Sequence, residues 1–311
     1  MSLVIGMDEA GYGPNLGPLL ITASVWEVSG DPRKFDFWSS LSESVSQTAT
    51  KDGRLYVADS KAVYTPQRGL ADLERGVLAV MSLNGRRPQT YREFVSRITG
   101  EDDLLDPETW FRDADVPLPL VSDASDVDEA ADALRANLDK AGIKFRDLRS
   151  DVVLTERFNR VVEQFDNKAS AHASFVFGLL SRVWPLAERT LVIGDKLGGR
   201  NRYDDLIADI PNIGMVFRQE ESSLISRYRV DKSELRFQQK AEQHFPVAVS
   251  SMICKYAREV GLELFNRFWQ QHVPGLKPTK GYPEDAKRFR DDVDAARQKL
   301  GISDREFWRC R

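Results

Sequence analysis

Four acidic residues stand where the surrounding sequence is apolar, and a charged side chain is costly to place there. Asp8 and Glu9 follow one apolar run, Asp195 ends another, and Glu242 precedes a long helical pattern. Burying an isolated carboxylate costs several kcal/mol, so each of them needs a partner or an ion. Carboxylates that converge without matching arginines favour a hard divalent cation, Mg²⁺ or Mn²⁺. Taken singly, each could equally cap a helix or face water.

The elements that must position these carboxylates can be read from apolar runs and from periodicity. Short apolar runs predict strands at residues 3–8, 19–28, 54–58, 190–195, 214–218 and 224–230. Apolar residues spaced by three and four predict helices at residues 66–83, 125–141, 155–188, 246–270 and 283–300. Because helices and strands alternate, we expect an α/β or α+β fold.

Charge is unevenly distributed along the chain. The 48 acidic and 44 basic side chains give a net charge of −4 and a pI near 5.6, with no whole-chain sign of a nucleic-acid partner. Residues 101–130, however, contain eleven acidic residues and one basic residue, so the remainder carries about +6. This acidic block lies in a stretch, at about residues 85–150, that we interpret as an insertion. The block is a solvated surface, the docking site of a protein partner or an electrostatic shield for a binding groove.

Composition excludes several classes of protein. Two cysteines, Cys254 and Cys310, are too few for a disulfide framework, which favours a reducing, cytoplasmic setting. Three scattered histidines argue against a His-rich zinc site. No apolar run reaches the roughly 18–20 residues that span a bilayer, and acidic residues interrupt the first apolar run before a signal peptide could form. We therefore expect no membrane partner.

Short sequence elements spread over nearly the whole chain occur in the order found in one known family. They are DEAGYGPNLGP at residues 8–18, DSK at 59–61, VIGD at 192–195, KAEQHFP at 240–246, SSMICKYARE at 250–259, KGYP at 280–283 and GISDR at 301–305. This series resembles type 2 ribonuclease H (ribonuclease HII), a family of the ribonuclease H-like superfamily. The shared order is far more specific than any single element, and the acidic block falls outside all of them.

The resemblance implies a ribonuclease H-like fold, in which helices flank a central mixed β-sheet. A catalytic core would span residues 1–245, interrupted by the insertion at about 85–150. Residues 246–311 would form a helical C-terminal part that packs on the core. We expect a monomer whose partner is an RNA–DNA hybrid or a ribonucleotide-containing duplex.

The resemblance also implies an activity and the residues that perform it. Asp8, Glu9, Asp195 and Glu242 would hold two Mg²⁺ or Mn²⁺ ions for endonucleolytic hydrolysis of the RNA strand of hybrids, or of ribonucleotides embedded in duplex DNA. Basic side chains would neutralise phosphates, which gives affinity without sequence reading. The implied substrate contacts are Gly11, Tyr12, Gly13, Ser60, Lys61, Ser251, Lys255, Arg258 and Tyr282.

Two residues depart from the family pattern. Tyr12 stands between two glycines where the family has a basic residue, in a loop that reads the 2′-hydroxyl of the substrate. Glu242 replaces the usual aspartate and is one methylene longer, which matters because Mg²⁺ demands near-ideal geometry. Two alternatives therefore stay open: a ribonuclease H-like nuclease of different substrate specificity, or a catalytically weakened homologue that binds nucleic acid.

Overall fold

A seven-stranded mixed β-sheet forms the centre of the computed structural model, which describes residues 1–310. The strands are β1 (Ser2–Ala10), β2 (Leu19–Val28), β3 (Val45–Ser46), β4 (Leu55–Tyr56), β5 (Lys144–Val153), β6 (Thr190–Asp195), β7 (Val216–Glu221), β8 (Ile225–Val230) and β9 (Ser233–Gln238), of which β3 and β4 form a separate small sheet. The helices are α1 (Phe37–Ser40), α2 (Ser60–Val63), α3 (Ala71–Met81), α4 (Tyr91–Thr99), α5 (Thr109–Arg112), α6 (Ala124–Ala141), α7 (Thr155–Phe165), α8 (Lys168–Val183), α9 (Asp204–Ala208), α10 (Phe245–His272), α11 (Pro283–Lys299) and α12 (Asp304–Phe307). A 3₁₀ turn, Ala241–Gln243, links β9 to α10.

The strand order of the main sheet, β5-β2-β1-β6-β9-β8-β7, brings three strand ends together. Strand β1 runs antiparallel to β2 and parallel to β6, and β6 runs parallel to β9. The carboxyl ends of β1, β6 and β9 therefore meet at one edge. Met7 pairs with Gly194, so Asp8 and Asp195 follow at the same level, and β9 leads directly into the turn that carries Glu242.

Helices cover both faces of this sheet, which confirms the expected α/β class with a central mixed sheet between helices. On β1, Val4 belongs to the core that contains α3, α6 and α10, whereas Ile5 and Met7 belong to the core that contains α7, α8 and α9. This division follows from the two-residue period of a strand, which turns successive side chains to opposite faces. Within residues 1–310, no helix is both long enough and apolar enough to cross a membrane.

Helix α10 packs so closely on β1 that only glycine fits at position 6. A Cβ built on Gly6 would lie 2.2 Å from the carbonyl carbon of Pro246. The hydroxyl of Ser250 donates to the Gly6 carbonyl oxygen, and that of Ser24 donates to the Pro246 carbonyl oxygen, both at 2.8 Å. The start of α10, and the turn bearing Glu242 just before it, are thereby fixed against the central strand.

The stretch predicted as an insertion, residues 85–150, is more closely integrated than its composition indicates. Its last part belongs to the main sheet, because β5 begins at Lys144 and pairs antiparallel with β2. Its helices bury Tyr91, Phe111 and Leu134 in the same core as α10. Strand β5 lies at the edge of the sheet, and charged residues alternate with apolar ones along it. Because it has no continuous apolar run and follows the acidic block, the sequence did not predict this strand. The segment outside the sheet therefore ends before residue 144.

A buried carboxylate anchors the acidic block to the core. Glu108 is 4% exposed, and it accepts hydrogen bonds of 2.8 Å from the Thr155 backbone N–H and from Trp110 Nε1. Burial raises the pKa of Glu108 from 4.5 to about 7, although these hydrogen bonds lower it in part. The fold therefore disfavours the ionised form of Glu108 relative to the unfolded chain.

We expect Glu108 to make the fold less stable as pH rises from 4.5 to about 7. Between these two pH values the folded protein keeps a proton that the unfolded chain has already released. The contribution of this carboxyl to the free energy of unfolding is therefore complete below the pKa of the unfolded chain, and it is lost as pH rises through the pKa of the folded protein. The shift corresponds to about 3 kcal/mol at most. Urea unfolding across this pH range should show a shallower fall for Glu108→Gln than for the wild type. Parallel curves for the two proteins would contradict the assignment.

Candidate active site

Five carboxylates from four separate segments meet at the edge where β1, β6 and β9 end. Asp8 and Glu9 lie at the end of β1, Asp195 ends β6, Glu242 lies on the 3₁₀ turn, and Asp59 caps α2. Their charges act on one another, since Asp59 and Asp195 both raise the pKa of Asp8 and of Glu242. Within residues 1–310, none of the five pairs with a lysine or arginine within 4.0 Å. We call this set the acidic edge.

Burial and mutual repulsion disfavour the ionised forms at the acidic edge. Burial raises the pKa of Asp8 to about 7 and, together with repulsion from Asp8 and Asp195, raises that of Glu9 to about 8. Burial also raises the pKa of Asp195 and of Glu242, while Lys61 lowers both. The protein surroundings therefore do not compensate the negative charge that these carboxylates would carry if all were ionised.

Sequence reasoning included the segment that contains Asp59 but did not assign that residue to the site. Asp59 precedes α2, where its Oδ1 accepts a hydrogen bond of 3.1 Å from the Lys61 backbone N–H. The buried hydroxyls of Ser60 and Ser251 lie 3.0 Å apart and join α2 to α10, and the Ser251 hydroxyl lowers the pKa of Asp8. The two serines thus position the acidic edge, and the exposed side chain of Lys61 remains accessible to a substrate.

Arg258, predicted to contact phosphate, instead lies inside the protein. It is 3% exposed, and its guanidinium donates to the carbonyl oxygens of Pro18 at 2.9 Å, Leu16 at 3.1 Å and Lys280 at 3.2 Å. The face of α10 that carries Arg258 packs on the loop that follows β1, which the helical period alone does not reveal. Arg258 therefore positions that loop and makes no direct substrate contact in this arrangement.

The glycine loop, residues 11–18, is also held from the C-terminal end of the chain. The buried guanidinium of Arg309 donates to the carbonyl oxygens of Gly11, at 2.5 Å, and of Pro14. Gly11 has a φ of +93°, and a Cβ on it would lie 2.5 Å from the Pro18 carbonyl oxygen. The C=O and N–H of one trans peptide point in opposite directions, so the Tyr12 N–H points away from Arg309. Gly13 is exposed, with open space where a side chain would be.

The Tyr12 side chain packs against α8. Its ring stacks on His172 with 4.5 Å between centroids, and Lys168 Nζ lies 4.9 Å from the Tyr12 ring centroid. His172 Nε2 is buried, has no hydrogen-bond partner within residues 1–310, and lies 4.0 Å from Glu9 Oε1. Burial lowers the pKa of His172 to about 4, so this imidazole is neutral near pH 7. No sequence element had indicated either His172 or Lys168.

Two other predicted substrate contacts are Lys255, on α10, and Tyr282, the residue before α11. Lys255 Nζ and Lys280 Nζ each lie 2.7 Å from a carboxylate oxygen of Glu259, which also accepts from the Tyr64 hydroxyl at 2.9 Å. Two ammonium groups therefore share one carboxylate, which leaves one positive charge in excess. Tyr282 is 57% exposed and could pack on a bound sugar.

The donor set at the acidic edge fits a hard divalent cation. All the candidate ligands are carboxylate oxygens, the donor type that Mg²⁺ and Mn²⁺ prefer. As placed, no three Asp, Glu, His or Cys side chains within residues 1–310 are gathered closely enough to hold an ion. The fit therefore lies in the ligand type and in the absence, among these residues, of a lysine or arginine partner within 4.0 Å.

The fold and the acidic edge define an α/β protein with a central mixed sheet and a multi-carboxylate site. No protein-family model matches the sequence, and no curated protein matches it. Similar solved structures include the ribonuclease H2 from Pyrococcus horikoshii OT3, with 15% identity, 98% of this chain and 92% of that chain covered, and a TM-score of 0.45. The RNase HII of the PCNA:RNase HII complex from Archaeoglobus fulgidus is 13% identical, with 99% of this chain and 94% of that chain covered and a TM-score of 0.42. Bst-RNase HIII in complex with Mn²⁺ is 16% identical, with 99% of this chain and 65% of that chain covered and a TM-score of 0.41. These identities and TM-scores are too low for an activity to be transferred from those proteins to this chain.

Proposed function

We propose that the protein is a type 2 ribonuclease H-like endonuclease. It would use Mg²⁺ or Mn²⁺ to hydrolyse the RNA strand of RNA–DNA hybrids, or ribonucleotides embedded in duplex DNA. The observation that carries this proposal is the acidic edge, where five carboxylates meet without a lysine or arginine partner. Glu27 and Asp151, two buried carboxylates elsewhere, are paired with Arg146 and Arg157. Two others in the described part of the chain, Glu74 and Glu108, have no such cation but each accept several hydrogen bonds from backbone N–H groups and neighbouring side chains.

In this proposal, the side chains of the acidic edge bind the cations, and the groups around the edge bind the substrate. Asp8, Glu9, Asp195 and Glu242 would hold two divalent cations, which supply an activated water and stabilise the leaving oxygen when bound. Ser251 would support the ionised form of Asp8, since its hydroxyl lowers the pKa of that carboxyl. The remaining contributions come from side chains and backbone that bind substrate.

Substrate would lie against the exposed groups around the acidic edge. Gly13 permits a sugar to approach the loop backbone, because no side chain stands there. Lys61 would neutralise a phosphate, and Tyr282 would pack on a sugar. The buried Arg258 and Arg309 would hold the glycine loop in one conformation, which reduces the cost of ordering it on binding.

Matched duplexes test the proposal. One sequence would be prepared as an RNA–DNA hybrid, as DNA with a single embedded ribonucleotide, and as DNA alone, and each would be incubated with Mg²⁺ or Mn²⁺. We expect cleavage of the first two and about 10⁴-fold less cleavage of the third, the discrimination of a site that hydrogen-bonds a substrate hydroxyl. Equal cleavage of all three would overturn the ribonucleotide part of the proposal.

A nuclease of different specificity is the second candidate, and the packing of Tyr12 favours it. The ring of this residue is committed to His172 and Lys168, so the loop presents no charged side chain of its own. Adding a structured RNA and a plain single strand to the same set of substrates separates the two candidates. Preferred cleavage of either added substrate would support the second.

Assembly and location stay predictions. A monomer, a cytoplasmic setting and a protein partner for the acidic block are each compatible with the proposed activity. The buried anchor at Glu108 shows that the block has a fixed attachment to the core, as a docking surface would need. Sedimentation of the purified protein measures the first of these directly.

A further inference from the structure

Lys168 is a cation without a partner beside the glycine loop. It is the first residue of α8, and its Nζ lies 4.9 Å from the ring centroid of Tyr12 and 5.8 Å from that of Phe158. Within residues 1–310, no carboxylate lies within 4.0 Å of this ammonium group. Burial, followed by repulsion from Arg309, lowers the pKa of Lys168.

The position of Lys168 is not explained by the stability of α8. The N-terminus of a helix carries partial positive charge, so a lysine in the first turn is unfavourable there. The first turn of α8 contains no acidic residue that could offset it. A half-exposed cation that is unfavourable for its own helix and gains no ion pair is available to an anion from outside the chain.

A second cation borders the same aromatic ring. The Arg309 guanidinium carbon lies 4.9 Å from the Phe158 centroid, and its Nε and Nη1 are buried without a hydrogen-bond partner within residues 1–310. Lys168 and Arg309 thus place two positive charges next to Phe158 and the glycine loop. The charge of the buried Glu108 acts on Arg309, whereas no carboxylate among the described residues lies within 4.0 Å of the Lys168 ammonium group.

We propose that Lys168 is a substrate-binding residue that contacts a backbone phosphate of the nucleic acid, and that it supplies from α8 the positive charge absent from the glycine loop at Tyr12. This inference rests on the proposed function. The recognised group is a non-bridging phosphate oxygen, so the contact gives affinity in a way that depends on salt and not on sequence. Stacking on His172 turns the Tyr12 ring towards α8, which keeps this side chain beside Lys168.

The test measures Kd for the ribonucleotide-containing duplex by fluorescence anisotropy over a range of NaCl concentrations. We expect Lys168→Gln to weaken binding at low salt and to make the slope of log Kd against log [NaCl] shallower by about 0.9, the value for one phosphate contact. Between about 50 and 200 mM NaCl, wild-type binding should therefore fall about threefold more than that of the variant. Lys168→Arg should keep the wild-type slope.

Two further variants separate a phosphate contact from a structural role. Lys232→Gln is the matched control, since Lys232 is exposed in the turn between β8 and β9, at the opposite end of the sheet. Its slope should equal that of the wild type. Tyr12→Lys combined with Lys168→Gln returns a charge to the loop and should restore the slope, which a loss of packing would not allow.

The outcomes distinguish this inference from the proposed function. An unchanged slope for Lys168→Gln, or no restoration by the double variant, overturns the role of Lys168 while cleavage by the wild type still stands. If the wild type binds duplex without cleaving it, the proposed activity is wrong. The slopes of log Kd against log [NaCl] still test the phosphate contact in that case. If the wild type binds no duplex, both are overturned.

Discussion

Asp195→Asn is expected to lower kcat for duplex cleavage by at least about 10³-fold, since it removes one charge from the ligands proposed to hold the cations. The same change should raise the thermal stability of the metal-free protein, by about 2 °C for each kcal/mol of repulsion relieved. Asparagine keeps an oxygen that can accept the backbone hydrogen bonds from Lys196 and Ala241. Stability and activity should therefore change in opposite directions.

Cleavage kinetics and thermal melts with EDTA or Mn²⁺ check both halves of this expectation. Mn²⁺ should stabilise the wild type more than Asp195→Asn, because a ligand that binds only the folded state raises its stability by mass action. Unimpaired cleavage by Asp195→Asn would place the chemistry elsewhere. If the wild type and the variant bind duplex equally and neither cleaves it, the protein is the catalytically weakened homologue.

Gly6→Ala should produce the largest loss of stability among single methyl additions near the site, more than about 3 kcal/mol. The added Cβ would meet backbone atoms of α10, with the Val247 nitrogen at 2.4 Å, and backbone atoms cannot rotate away as a side chain can. Separating α10 from β1 would also move Ser251 and the turn bearing Glu242. Duplex cleavage should fall together with the free energy of unfolding.

Gly76→Ala is the matched control for this prediction. A Cβ on Gly76 would lie 2.6 Å from Met252 Cε, the flexible end of a side chain that can rotate away. Alanine also favours the helix over glycine by about 1 kcal/mol, so the net change should stay within about 1 kcal/mol. Urea unfolding of both variants gives the comparison, and equal losses would contradict the backbone argument.

Elements with continuous apolar runs were predictable from the sequence. The predicted strands at 3–8, 19–28 and 190–195 correspond to β1, β2 and β6, and the helix at 246–270 corresponds to α10. Strands β5 and β9 escaped prediction because charged and polar residues alternate along them. The helical stretch predicted at 155–188 is two helices, since α7 ends at Phe165 and α8 begins at Lys168.

The candidate site was predictable where residues form local motifs and not where tertiary packing decides. Asp8, Glu9 and Asp195 end apolar runs, so their placement at strand ends could be read directly, whereas Asp59 was not assigned to the site. His172, Lys168 and Arg309 reach the glycine loop from remote segments, and no local pattern marks them. Arg258 lies within a recognisable element, yet which side of α10 faces the loop depends on how the helix packs.

The hydrogen bond from Arg309 to Gly11 joins residues 298 positions apart, and this separation bears on how the protein acquires its site during synthesis. A growing chain releases all the carboxylates of the acidic edge once Glu242 has left the ribosome. The residue that locks the glycine loop emerges 67 positions later, after α10 and α11. Contacts between residues so far apart in the sequence form slowly, because a long loop must close before the contact can stabilise the fold. The proposed metal ligands, and the helix α10 that fixes the turn bearing Glu242, are thus synthesised well before Arg309, which holds the glycine loop from the C-terminal end.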